Sequence, residues 1–275
     1  MFGRERIEYK THDQIRVMRR AGLVVADALD AASQAAVPGA TTGDVDAAAA
    51  RTIRAAGATS NFLGYGHPPF PATTCISVNE EIVHGIPGAR VLAPGDVVSI
   101  DCGAVVEGWH GDAAITVLVG PADGVDAGDV ELSAVTEQSL WAGIAALAVG
   151  RHLGEVGCAV EDAVGDRFGI LEGYTGHGIG TAMHQPPEVL NYRTRDKGPR
   201  VKPGLCVAVE PMCVRGDPAT RLAADEWTVV SRDGSRGAHW EHSVAVTEAG
   251  LWVLTARDGG LEGLRAHGIV PAPLD

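Results

Sequence analysis

"GDVVSIDCGAVVEGWHGDAAITV", residues 95–117, is the stretch whose reading decides the fold. Two apolar runs rich in Val and Ile flank Val106-Glu107-Gly108, which predicts a β-hairpin. Each run carries one acid, Asp101 and Asp112. With the turn centred between Val106 and Glu107, the two acids fall opposite each other on one face. Directly opposite residues have Cβ atoms only about 4.5–5.5 Å apart, and like charges there repel. Such a pair must share a proton or hold a cation.

The same pieces recur downstream. "PGDVVSID" (94–101) matches "PGLCVAVE" (203–210), and "GDAAITV" (111–117) matches "WEHSVAV" (240–246). "HGI" occurs at His84 and again at His177. Apolar periodicity and cap residues predict helices over 13–36, 42–56, 130–149 and 153–168. The order is therefore helix pair, strands, helix pair, strands. An α+β chain with two pseudo-repeated halves follows, roughly 11–120 and 128–254, within one domain over 1–275 and with a short tail at 255–275.

Each half supplies two acids in matching order: Asp101 and Asp112, then Glu210 and Glu241. One shared proton would neutralise a pair, but four acids call for something nearer two divalent cations. His177 fits as a fifth ligand. Four carboxylates and one imidazole, with no thiolate, suit Mn²⁺, Fe²⁺, Co²⁺ or Zn²⁺ better than a structural zinc site or a Mg²⁺ or Ca²⁺ site. Two such ions form the clamp with which aminopeptidases and phosphatases make a hydroxide nucleophile and polarise a carbonyl.

His177 and His184 sit in "YTGHGIGTAMHQPPEVL" (174–190). Gly176, Gly178 and Gly180 oppose a helix, and seven steps along a strand would put the two rings on opposite faces. An irregular backbone with close approaches, stopped by Pro186 and Pro187, can turn both inward.

Bulk properties exclude several classes. The 275 residues are 45% hydrophobic and 21% charged, a globular balance. No window approaches about 18 uninterrupted apolar residues, so no membrane span is expected. The start, "MFGRERIEYK", lacks the apolar core of a secretory signal. Five scattered cysteines without a CxxC pair point to a reducing cytoplasm. A formal charge of −13 argues against a nucleic-acid site. GxSxG, HExxH and GxxxxGK[ST] are missing, and "GHGIGTA" does not complete GxGxxG.

"VNEEIVHGIP", "VSIDCGAVVEGWHGDAA", "GHGIG…MHQPPEVLNY", "AVEPM" and "WEHSVAV" together resemble the type I methionine aminopeptidases. The resemblance runs from the first helix to about Leu254. It implies a pita-bread fold, a central antiparallel sheet covered by two helix pairs. It implies metal ligands at Asp101, Asp112, His177, Glu210 and Glu241, with Glu210 also the general base. His184 would stabilise the oxyanion, and His84 would meet the scissile amide and leaving amine. The methionine pocket would be built from Tyr65, Phe70, Cys75, Met183 and Trp227, soft or aromatic partners for a thioether.

Several positions depart from the family pattern. Gln185 stands where an acid is common, and Phe62 where a cysteine is common. Met183 replaces a phenylalanine, and the loop 61–75 is longer than usual. Cys75 is expected as pocket wall, since no Cys-His pattern accompanies it. His110 and His242, beside Asp112 and Glu241, are expected outside the ligand set because adjacent strand residues face opposite ways. His12, His67, His152, His239 and His267 carry no site argument.

The implied activity is removal of the initiator methionine from nascent chains with a small second residue, by a cytoplasmic monomer with two divalent ions. The ribosome is a candidate partner. The rivals are an Xaa-Pro aminopeptidase of the same fold and a non-enzymatic binding homologue, which would be expected to lose ligands.

Overall fold

A computed structural model describes residues 6–121 and 124–274. The first five residues of the stretch taken as non-secretory, two residues of the predicted spacer and the last residue of the tail lie outside the described residues. The first half begins with α1 (His12–Ala35) and α2 (Thr42–Ala55). Each starts at a threonine, Thr11 or Thr41, whose hydroxyl accepts from the third helical N–H while that residue's side chain returns a bond. Strands β1 (Thr59–Ser60), β2 (Thr74–Val78), β3 (Glu81–Val83), β4 (Val97–Val106) and β5 (Trp109–Leu118) follow.

The second half repeats the order with α3 (Ala127–Val149) and α4 (Gly154–Val164), then β6 (Gly169–Ile170), β7 (Gly176–Gly178), β8 (Gln185–Val189) and β9 (Cys206–Val209). Next come β10 (Met212–Val214), β11 (Thr220–Leu222), β12 (Val229–Ser231) and β13 (Gly237–His239). The described chain closes with β14 (Glu241–Thr247), β15 (Gly250–Val253) and a short α5 (Leu261–Arg265).

Two helices differ from their predicted bounds by more than one residue. α3 starts three residues early because Asp126 caps it, accepting from the Gly128 N–H. α4 stops well before Phe168 because Gly165 takes a positive φ of 59°. Among the described residues, α3 alone could pass for a membrane span by length and composition, but more than half of its most apolar stretch is buried in this fold.

A nine-stranded sheet runs β1-β4-β5-β14-β9-β7-β8, with β2 also on β4 and β15 also on β14. Period-two alternation divides it cleanly. Ile100, Cys102 and Ala113 pack under α1 and α2 with Val25, Leu29 and Ile53. Val207, Val209, Val244 and Val253 pack under α3 and α4 with Leu140, Ile144 and Val160. The alternate residues, Asp101, Asp112, Ala114 and Glu241 among them, point to the other face. Two three-stranded sheets, β13-β10-β6 and β11-β12-β3, complete the fold.

The hairpin register corrects one expectation. Glu107 and Gly108 both take positive φ, 51° and 79°, and form the whole turn, pairing Val106 with Trp109. Asp101 therefore faces Ala114, and Asp112 faces Gly103, rather than each other. The displacement is two residues, an even number, so both acids keep the same face.

Candidate metal centre

The register aligns the acids across four neighbouring strands. Asp101 on β4 pairs with Ala114 on β5, and Ala114 pairs with Glu241 on β14. Glu210 lies one residue past the pairing of Val209 with His242, alongside Glu241. Ala114 contributes only a methyl between two acids, which leaves open space in the middle of the row. Asp112 sits two residues along β5 on the same face. His177 enters from β7, the strand beyond β9. A Cβ on Gly176 or Gly178 would stand 2.3 Å from the carbonyl oxygen of Ala208 or Pro186, so only glycine lets the backbone beside His177 come this close. This is the close approach the glycine pattern predicts. The His177 and His184 rings stand edge to face with centroids 4.4 Å apart.

Asp101, Asp112, Glu210 and Glu241 are all buried. Oδ1 of Asp101, Oδ1 of Asp112 and Oε1 of Glu241 have no hydrogen-bond partner. No Lys or Arg among the described residues pairs with any of the four. Burial first, then the negative charge of the neighbours, pushes Asp101, Glu210 and Glu241 well above the usual carboxylate range. Burial also raises Asp112, against hydrogen bonds from Asn61 and the Ala113 N–H. The histidines shift the other way. Burial, then His184, lowers His177 to about 3 and His84 to about 4, so both are neutral at pH 7. Asp112, His177 and Glu241 each present a donor atom, all within 4.8 Å of one another.

A cavity of about 100 Å³ opens over this cluster. It is lined by all five proposed ligands, by His84 and His184, and by Tyr65, Phe70, Cys75, Met183 and Trp227. Phe62 and Val83 line it too, and the sequence assigned neither of them to the pocket. Phe70 stands edge to face with both Phe62 and Trp227, at 6.5 and 5.2 Å. Burial, then Asp101 and Asp112, holds the Cys75 thiol well above its ordinary value, which disfavours a thiolate there.

The profile of metallopeptidase family M24 matches residues 16–248, most of the chain. The chain belongs to metallopeptidase family M24. Methionine aminopeptidase 1 of Mycobacterium tuberculosis is 47% identical over 261 residues, covering 92% of this M24 chain and 96% of that protein. Methionine aminopeptidase 1 of Bacillus subtilis is 41% identical, covering 90% and 98%. The crystal structure of methionine aminopeptidase from Thermotoga maritima superposes with a TM-score of 0.87 at 38% identity, over 92% of this chain and 100% of that one. Prolidase from Pyrococcus furiosus, at 20% identity and a TM-score of 0.69, shares the fold. That fold is the pita-bread architecture expected from the sequence.

M24 membership implies divalent metal, and the residues fit it. Buried carboxylates without cationic partners, with oxygens lacking hydrogen bonds, and neutral imidazoles beside them make an anionic donor set that a dication completes.

Around this set, the structure adds contacts that the sequence did not reveal. The Tyr65 hydroxyl lies 2.6 Å from His184 Nδ1, so this residue of the expected methionine pocket also fixes the histidine. Gln185 accepts from the buried Lys10 ammonium at 3.2 Å and donates to the Thr181 hydroxyl at 3.0 Å. His84 takes a positive φ of 59°, and its ring stands edge to face with Tyr174 and Trp227. His242 is outside the cavity as expected, its Nδ1 2.8 Å from the Thr255 hydroxyl.

His110 corrects the stated reason for its exclusion. It lies two residues from Asp112 and shares its face, so alternation does not remove it. Its offset along the strand does, and it is not among the cavity-lining residues. His239, given no role above, belongs to the centre. It is 1% exposed, with Nε2 3.7 Å from Glu210 and 4.0 Å from Glu241. Its i, i+2 spacing from Glu241 in "HWEHS" was the available signal.

Proposed function

We infer that this M24 chain is a metal-dependent aminopeptidase that removes the N-terminal methionine of peptides. The observation that carries this reading is the cavity itself. Its floor is the acid cluster, and its wall is Phe62, Phe70, Cys75, Met183 and Trp227. Such a wall suits one flexible unbranched thioether, whose burial contributes about 1.5–3 kcal/mol. A second groove, lined by Tyr174, Gln185, Pro186 and Met212, shares His84, His177, His184 and Glu210 with the cavity. It offers a way out for the rest of the peptide past the two histidines.

Asp101, Asp112, His177, Glu210 and Glu241 would hold two divalent ions, of Mn, Fe(II), Co or Zn. When bound, these supply Lewis-acid polarisation of the carbonyl and lower the pKa of water. Glu210, made more basic by burial, takes the proton of the attacking water and returns it to the leaving amine. With the Tyr65 hydroxyl as donor to His184 Nδ1, the ring hydrogen would sit on Nε2, where it would donate to the developing oxyanion. Neutral His84 meets the scissile amide. Nascent chains with a small second residue are the proposed substrates, met in the cytoplasm by a monomer, with the ribosome as the candidate partner.

The test uses metal-stripped protein refilled with single metals and offered Met-Ala-X, Met-Leu-X and X-Pro peptides. Methionine release from Met-Ala-X in preference to Met-Leu-X is expected. Cleavage of X-Pro but not Met-Ala-X would overturn the reading in favour of the Xaa-Pro rival.

A further inference from the structure

His239 reaches the acid cluster by a route separate from the nine-stranded sheet. It ends β13, which crosses the acid face of β4 and β5. There the His239 N–H donates to the Thr116 hydroxyl at 3.0 Å, and that hydroxyl donates to the His239 carbonyl at 2.8 Å. Ser99 accepts from the same N–H at 3.2 Å and lies 3.0 Å from Thr116. These bonds clamp the His239 backbone over the row of acids. The side chain is thus delivered into the cluster, yet neither Nδ1 nor Nε2 has a hydrogen-bond partner. A buried imidazole with two idle nitrogens is costly unless something not made of protein completes it.

The distances decide what that is. Nε2 stands 3.7 Å from Glu210 Oε2 and 4.0 Å from Glu241 Oε2. Both exceed the reach of a hydrogen bond, about 3.2 Å. They match donor atoms sharing one cation, since ligands each about 2.0–2.2 Å from an ion lie about 3–4 Å from one another. Glu210, His239 and Glu241 offer donor atoms all within 4.8 Å, a second such group beside that of Asp112, His177 and Glu241.

We propose that His239 is a sixth metal-binding side chain, sharing one divalent ion with Glu210 and Glu241 through Nε2. Glu241 is common to both groups, and Glu210 also lies 3.3 Å from His177 Nε2, so the two imidazoles flank the same pair of acids. A nitrogen donor in the second group biases that ion towards Co²⁺, Fe²⁺ or Zn²⁺ over Mg²⁺. The proposal rests on the metallopeptidase reading of the site, and metal binding tests it without any peptide.

Metal-stripped wild-type protein and His239→Gln are titrated with Co²⁺ by calorimetry, with proton NMR of the cobalt forms alongside. Circular dichroism and thermal melts of the metal-free forms check that both proteins fold. Wild type is expected to show two hyperfine-shifted, exchangeable imidazole N–H signals and His239→Gln one. In the variant, one of the two binding steps is expected to weaken by about 10–100-fold or more. Unchanged binding would mean that His239 merely packs beside Glu210 and Glu241 without holding the ion, and would overturn the proposal. A single imidazole signal in wild type, which requires no variant to fold, would overturn it too. If no cobalt binds to wild type, the metallopeptidase reading itself falls, and His239's part with it.

Discussion

Asp129 and the row of four acids are both buried, and the chain treats them in opposite ways. Asp129, on α3, has no exposed surface, and two arginines meet it. Arg215 lies 2.9 Å from one oxygen and Arg236 2.5 Å from the other. Asp101, Asp112, Glu210 and Glu241 are buried too, yet no arginine or lysine among the described residues reaches them, and three of their oxygens lack any hydrogen bond. The fold can therefore neutralise a buried carboxylate with its own side chains, and does so at Asp129. At the row of four it supplies none, which leaves the charge for an external cation. One cluster is a structural clamp, and the other is a receptor.

The comparison can be broken most severely at Glu210, which the proposed mechanism uses twice. Glu210→Gln is expected to lower methionine release by about 10²–10⁴-fold while leaving the metal-free melting temperature unchanged or higher. A fully active variant would mean that the carboxylate is ordinary. Next in size is the metal itself. Adding Co²⁺ or Mn²⁺ at about a hundred times its dissociation constant should stabilise the protein by about 2.7 kcal/mol, read as a rise in melting temperature. A chelator should reverse it, and melting of Asp129's neighbourhood should show no separate metal dependence.

The pH dependence carries a sign. Burial raises the acids of the row, so the metal-free fold holds protons there that the unfolded chain has already released. That contribution is fully present below the unfolded carboxylate pKa and is lost as pH rises through the raised folded values. Metal must displace those protons. Calorimetry in buffers of different ionisation enthalpy should therefore detect net proton release on binding at pH 7, and the melting-temperature gain should shrink at pH 5. Proton uptake would contradict the assignment.

On the other side of the comparison, Arg236→Ala should destabilise the fold by about 1–3 kcal/mol in urea, less than for a fully buried pair because the arginine is partly exposed. Metal affinity should not change, since Asp129 belongs to the clamp. The smallest expected effect is at Tyr65. Tyr65→Phe keeps the ring but drops the bond to His184, and kcat should fall about tenfold with KM little altered.

Much of this was legible because side-chain alternation has a period of two. Asp101, Asp112 and Glu241 share a face whatever the exact register, provided the error is even, and the hairpin error was two. Turn placement was less legible: Glu107 at positive φ leaves no mark as strong as an Asn-Gly pair would. His177 could be read from its glycines, because close backbone approach needs a residue with no side chain. His239 offered only its i, i+2 spacing from Glu241, and the crossing of β13 over Ser99 and Thr116 is what brings it to the acids. Phe62 was likewise hidden, in a loop whose path depends on packing against Phe70 rather than on any period.

Anomalous diffraction from crystals grown with Co²⁺ or Mn²⁺ would examine the origin of the missing positive charge directly. Two peaks enclosed by Asp101, Asp112, His177, Glu210 and Glu241 are expected. Density without any anomalous peak at that row, or peaks confined to the outer surface, would contradict it.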